Sequence, residues 1–276
     1  MPNAVRAPGH TPSLIALLAL GAALLLAPTP PAHADAARCS REIAKASAKF
    51  AQAKMRVLQK CEDGLLTGKL SGTCPDAKSS AAIAKAAGKL RSALDKKCGG
   101  ADRDCTTAGD DDALASIGWG SSCPNFEGGS CNDAIADCDG VANCLLCVDE
   151  AAVDQGIDLY YGDLTNSSDA TVKRCQREIG KSAVKFLRAK SKLLQKCKDK
   201  VLAGQASGPC PDPKTSAALA SAAAKMNAKI CGTCGGGDRV CGGSDDLTPA
   251  AIGFPSTCTS VTVPGGAACG GAVGNL

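Results

Sequence analysis

Two patterns of apolar positions organise this chain, and the second is a copy of the first. The run Cys39, Ile43, Ala46, Phe50, Ala53, Val57, Leu58 and Cys61 steps by three and four, which makes one apolar helix face with lysines and arginines in the remaining positions. Cys39 and Cys61 are 22 positions apart, about 40° around a helix and about 33 Å along it, so they lie on one face at opposite ends. Gly68 and Gly72 mark the loop that follows. Asp76 then stands as the N-cap of a second helix framed by Cys74 and Cys98, with Ile83, Ala87, Leu90 and Leu94 facing inward. Folding the two helices antiparallel puts Cys61 near Cys74 and Cys39 near Cys98, so the hairpin is stapled at both ends.

The pattern returns at an offset of 136 residues. Cys39, Cys61, Cys74, Cys98 and Cys105 map without a gap onto Cys175, Cys197, Cys210, Cys234 and Cys241. The strings agree as well: RCSREIAKASAKF with RCQREIGKSAVKF, CPDAK with CPDPK, and CGGADRDC with CGGGDRVC. Cys123 answers Cys258 with one residue deleted, which makes a tandem repeat. In the copy, Ile179, Phe186, Ala189 and Leu193 form the first inner face and Leu219, Ala223, Met226 and Ile230 the second. Gly204 and Gly208 repeat the loop, and Asp212-Pro213 supplies an N-cap followed by proline at the first helical position. The same geometry pairs Cys175 with Cys234 and Cys197 with Cys210.

Between the hairpins a short helix is predicted over Asp112 to Ile117, with its copy starting at Thr248-Pro249. A longer amphipathic helix is predicted over Val141 to Tyr161, with Cys144, Val148, Ala151, Ala152 and Leu159 as its stripe. Residues 162–171, GDLTNSSDAT, read as a polar linker. The second copy ends without a counterpart of the long helix. The expected organisation is a signal peptide over 1–34, one cysteine-rich helical module over 35–166, and a second, incomplete one over 167–276.

The leader reading rests on Arg6, the apolar run Leu14 to Leu26, and Ala32-His33-Ala34 before Asp35. Thirteen apolar residues fall short of the ~20 needed to span a bilayer. No later run comes close, so the processed chain is expected to be soluble, without a membrane span. A lipid anchor at Cys39 is disfavoured by the arginine directly before it. All 18 cysteines lie beyond this leader, an even number that points to disulfides in an oxidising compartment, periplasmic or extracellular. Only seven aromatics remain there and alanine fills many apolar positions, so covalent staples must supply what a larger core would. In the chain-entropy model the outer loop of a hairpin contributes about 4 kcal/mol and the inner about 3.

Charge is segregated. Residues 35–100 carry 14 basic and 6 acidic side chains, residues 101–163 one basic and 14 acidic, and residues 164–236 14 basic and 4 acidic. Both histidines, His10 and His33, fall in the leader, which excludes Ser-His-Asp and Cys-His catalysis and His-ligated zinc from the processed chain. Cys231-Gly-Thr-Cys234 and Cys144-Leu-Leu-Cys147 have redox spacing, but the first closes a helix and the second is ringed by Asp137, Asp139, Asp149 and Glu150. Cys138, Cys144 and Cys147 could be thiolate metal ligands, though no second CxxC stands at finger spacing. Asp110, Asp111 and Asp112 lack the alternation of a calcium loop and read as a solvated loop or a helix N-terminus. Nucleic-acid binding is not expected, because no aromatics interleave with the bases.

Pairing of the other ten cysteines stays open. If Cys269 answers Cys131, each copy shares seven, while Cys138, Cys144 and Cys147 are private to the first and Cys231 to the second. Cys231 must then join Cys241, Cys258 or Cys269, and Cys105, Cys123, Cys131, Cys138, Cys144 and Cys147 allow 15 arrangements.

The layout resembles the twin-cysteine helical hairpins of the CHCH and alpha-hairpinin types at about twice their spacing, and nothing functional transfers from them. The strings CGGADRDC and CLLCVDEAAVDQ are similar to those of uncharacterised secreted cysteine-rich helical repeat proteins of high-GC environmental bacteria, a resemblance that covers nearly the whole processed chain and implies no activity. The expectation is therefore an all-α protein of two tandem disulfide-stapled antiparallel hairpins, each followed by an acidic cysteine-rich segment, the second copy incomplete. It is expected to act as a secreted structural or protein-interaction module without catalysis or cofactor. Self-association is the favoured interaction and an anionic surface polymer the alternative partner, with thiol redox or metal binding further behind.

Overall fold

A computed structural model describes residues 36–107, 109–125, 130–161, 167–258 and 270–274. The leader over 1–34, the first half of the linker with the expected boundary between modules, and Cys269 lie outside the described residues. The protein is all-α. Six α-helices follow one another: α1 (Ala36–Leu66), α2 (Ala77–Cys98), α3 (Leu114–Ile117), α4 (Cys138–Tyr161), α5 (Ala170–Leu202) and α6 (Pro213–Cys234), with a 3-10 turn at Ala250–Ile252. Extended pairing among the described residues is limited to two isolated bridges, Ser122 with Ala134 and Thr257 with Ala272.

Each long hairpin is built by local chemistry. The Asp76 carboxylate accepts from the Ser79 amide at 2.8 Å and Asp212 from the Thr215 amide at 2.6 Å, satisfying an end of α2 and of α6 that has no partner inside the helix. Those hydrogen bonds, from the Ser79 and Thr215 side chains and amides, hold both carboxyls below their ordinary pKa. The connecting loops turn at Gly68 and Gly72, with φ of 67° and 103°, and at Gly204 and Gly208, with φ of 65° and 111°. The Cys74-Pro75 and Cys210-Pro211 peptides are both cis.

Disulfides join Cys39 to Cys98 and Cys61 to Cys74 in the first hairpin, and Cys175 to Cys234 and Cys197 to Cys210 in the second. Bonds at both ends make each pair of helices antiparallel. Beyond each hairpin the loop returns the same way. The Asp112 amide donates to the Cys98 carbonyl and the Leu247 amide to that of Cys234, both at 3.1 Å. Ala113 is non-helical, with φ of −59° and ψ of 133°, so α3 starts at Leu114 rather than at Asp112. Ser40 Oγ then donates to the Ile117 carbonyl at 3.0 Å, and Gln176 Nε2 to that of Ile252 at 2.9 Å, fastening each short turn to its hairpin.

The main core lies between α1, α2 and α4. Phe50, Leu90 and Leu94 pack with Val141, Ala142, Leu145 and the buried cysteines of the acidic segment. Here α4 corrects the sequence reading. It begins at Cys138, three residues early, because Asp137 Oδ1 accepts from the Gly140 amide at 2.8 Å and opens the helix. Its buried set is Cys138, Val141, Ala142, Cys144, Leu145, Val153, Ile157 and Tyr161; of the expected stripe only Cys144 is buried, while Val148, Ala151, Ala152 and Leu159 are half-exposed. A helix wedged against α1, α2 and α5 buries what three neighbours touch, a choice periodicity along one helix does not contain. A second core joins Met55, Leu58, Leu66, Val153, Ile157 and Tyr161 where α1, α4 and α5 meet. A third, small one sits at the Cys175 end of the second hairpin.

Candidate functional site

The described residues hold sixteen cysteines in eight disulfides. Besides the hairpin bonds these are Cys105 to Cys138, Cys123 to Cys144, Cys131 to Cys147, and Cys231 to Cys241. Both CxxC strings therefore send their two sulfurs to different partners, and neither closes on itself. The same holds for Cys138, Cys144 and Cys147 as metal ligands: each sulfur is bonded to another sulfur. A network of this density is the mark of an oxidising environment. Among the described residues no helix is long and apolar enough to cross a membrane.

The acidic knot is also structural. Asp110 Oδ2 accepts from the amides of Ala101 at 2.7 Å and Asp102 at 3.3 Å, and Asp245 Oδ2 accepts from the Gly237 amide at 2.7 Å, each holding the Gly-rich turn after its hairpin. Gly100 and Gly236 sit at φ of 54° and 57°, and a Cβ on either would meet that carboxylate. In the second copy Asp238, Asp245 and Asp246 lie close enough to share an ion, but Asp246 Oδ2 is engaged by the Gly242 and Gly243 amides at 2.6 and 3.1 Å.

What the tertiary structure adds is a groove of about 840 Å³ between α2 and the second half of α4, floored by α1. Leu58, Ile83 and Ile157 make it apolar, Ser80, Ala84 and Ala87 keep the α2 wall low, and Glu62, Glu150, Asp154 and Asp158 line the opposite side with carboxylates. Lys54 is buried beneath it. Its Nζ donates to Asp154 Oδ2 at 2.8 Å and to the Glu150 carbonyl at 3.3 Å, while its stem packs under α4. Asp154 keeps 60% of its side chain exposed. Burial raises the pKa of Glu62. Deeper in the interface, burial lifts Asp149 to about 7, although Ser47 Oγ donates to its Oδ1 at 3.1 Å; its Oδ2 has no hydrogen-bond partner among the described residues.

At the far end of α4 the Tyr161 hydroxyl donates to Asp63 Oδ1 at 3.2 Å, and Arg177 of α5 stands 3.8 Å from the same atom. Burial raises the pKa of Asp63 against the pull of Arg177, and it raises that of Tyr161. Tyr161 lies against Gly180, where any Cβ would overlap its ring and hydroxyl. The first copy has Ala44 at the matching position.

The basic counterpart is α5. Lys181, Lys185, Lys190, Lys192, Lys196, Lys198 and Lys200 are all exposed, and so is Leu202. Comparison with protein-family models, curated proteins and solved structures finds no match. The reading therefore rests on this geometry.

Proposed function

We propose that the protein is a secreted structural or protein-interaction module, freed from its leader near Ala34, which acts without catalysis or cofactor by associating through opposed charge. One observation supports this above the others: the carboxylates of α4 line an open groove while the lysines of α5 cover a separate exposed helix, so one chain presents two complementary surfaces. Self-association should weaken as salt rises from about 0.05 to 0.5 M, because screening then acts over less than about 10 Å. Sedimentation across that range measures it. A mass independent of salt, together with firm retention on an anionic matrix, would transfer the role to binding of an anionic surface polymer, a reading that the exposed lysines of α5 by themselves favour.

A further inference from the structure

The first hairpin shows what the lysine on its apolar face binds. Lys54 of α1 reaches an α4 carboxylate, and α4 covers Leu58, Leu90 and Leu94, all buried. In the second hairpin the matching positions are Lys190, Leu194, Met226 and Ile230. There Lys190 is exposed and the three apolar side chains are only half-buried, because no counterpart of α4 lies over them among the described residues. Glu62, which lines the acidic groove, is matched by the exposed Lys198. The face that carries an acidic helix in one hairpin is thus bare in the other and carries one more positive charge where the first has a negative one.

The outer side of α4 is the surface of this chemistry that the chain itself presents. Its own apolar face is spent on the first hairpin, but Glu150, Asp154 and Asp158 remain along the groove, and the low wall of Ser80, Ala84 and Ala87 lets another helix approach the floor closely. From these two surfaces, and resting on the self-association reading, we infer that the groove between α2 and α4 receives the Lys190 to Leu202 half of α5 from a second copy. Lys190 and Lys198 meet the groove carboxylates, and Leu194 and Leu202 meet Leu58, Ile83 and Ile157. Two bare α5 faces would repel each other, and so would two acidic grooves, so the contact is between unlike surfaces. Such a contact is heterologous: each copy uses its groove once and its α5 once, and copies add head to tail into a ring or an open chain.

Charge reversal on full-length processed protein tests this. One variant carries Glu150→Lys and Asp158→Lys and another carries Lys190→Glu and Lys198→Glu; Asp154 is left in place because it holds Lys54. Circular dichroism confirms that each remains folded, and sedimentation near 0.05 M salt reads association. Each variant alone should associate at least about tenfold more weakly than the wild type, since like charges then face each other. An equimolar mixture should recover wild-type mass, because each reversed surface finds its complement on the other variant. Wild-type protein that assembles in a salt-dependent way but is indifferent to both reversals overturns the groove while leaving self-association standing. Loss in both variants without recovery in the mixture overturns it too, and wild-type protein that stays monomeric at low salt overturns both.

Discussion

The two hairpins share bridges, caps and turns, and differ in what covers them. In the first, α4 lies across the hairpin and Leu90 and Leu94 are buried at 2% and 0% exposure; in the second, Met226 and Ile230 at the same positions are half-exposed. The cysteines follow the same division. Cys105 bonds to Cys138 on α4, whereas its counterpart Cys241 bonds to Cys231, which stands on α6 where the first copy has Asp95. Where no covering helix lies among the described residues, the hairpin supplies the partner sulfur itself. Burial meanwhile raises the pKa of Asp95, the residue that the second copy does without. A hairpin held mainly by its staples and a small core at one end, and one held by staples and a lid, are therefore present in one chain, which helps to separate covalent from apolar stabilisation.

Reduction should break this comparison most strongly. With its disulfides removed the second hairpin has little buried apolar surface left, so hydrogen exchange after reduction and alkylation should show α5 and α6 opening before α1 and α2. Most of the cooperative melt should be lost while Ala/Lys segments retain partial helicity by circular dichroism. An unchanged melting temperature after verified reduction would show that the apolar cores suffice. Next in size is truncation at matched positions. Leu94→Ala should cost about 3 kcal/mol in denaturant unfolding and Ile230→Ala about 1, because only the first leaves a closed cavity. Equal costs would mean that the second hairpin is covered in solution.

The third effect belongs to the covered hairpin alone. Asp149 in α4 has a folded pKa of about 7, above its unfolded value near 3.8. Between about pH 4 and 7 the unfolded chain gives up this proton while the folded one keeps it, so stability falls as pH rises through that window and stays reduced above it. Asp149→Asn should then stabilise the protein by about 2 kcal/mol at pH 8, half of the full conversion because the carboxyl retains some access to solvent, and by almost nothing at pH 4. Thermal melts of both proteins at the two pH values check it; a stabilisation of equal size at pH 4 would assign the effect to packing. The second copy has no counterpart of Asp149, and Ser47, which faces it, is matched there by Ala183.

Much of the fold was legible because it is set within a few residues of chain. Helix faces come from steps of three and four, Asp76 and Asp212 cap from three residues away, and glycines at positive φ close the loops. The spacing of the hairpin cysteines is likewise a property of helix rise and rotation. The covered groove was not legible, because α4 meets Lys54 from 100 residues away; the place of Lys54 between Phe50 and Leu58 on the apolar face marks it for burial but does not name the partner that meets it. The glycine at 180 carried a faint signal, as the one residue of its string that loses a side chain relative to Ala44, and its reason is the ring of Tyr161.

By itself, then, the sequence determined the long hairpin helices, the caps of α2 and α6, the hairpin loops and the segregation of charge, all of which depend on neighbours along the chain. Tertiary structure decided which of six chemically equivalent sulfurs in the acidic segment join, which side of α4 is buried, which lysine is desolvated and which hairpin is left bare. Those outcomes depend on distances between elements far apart in sequence. Like sulfurs and like lysines differ only in what the folded chain brings beside them.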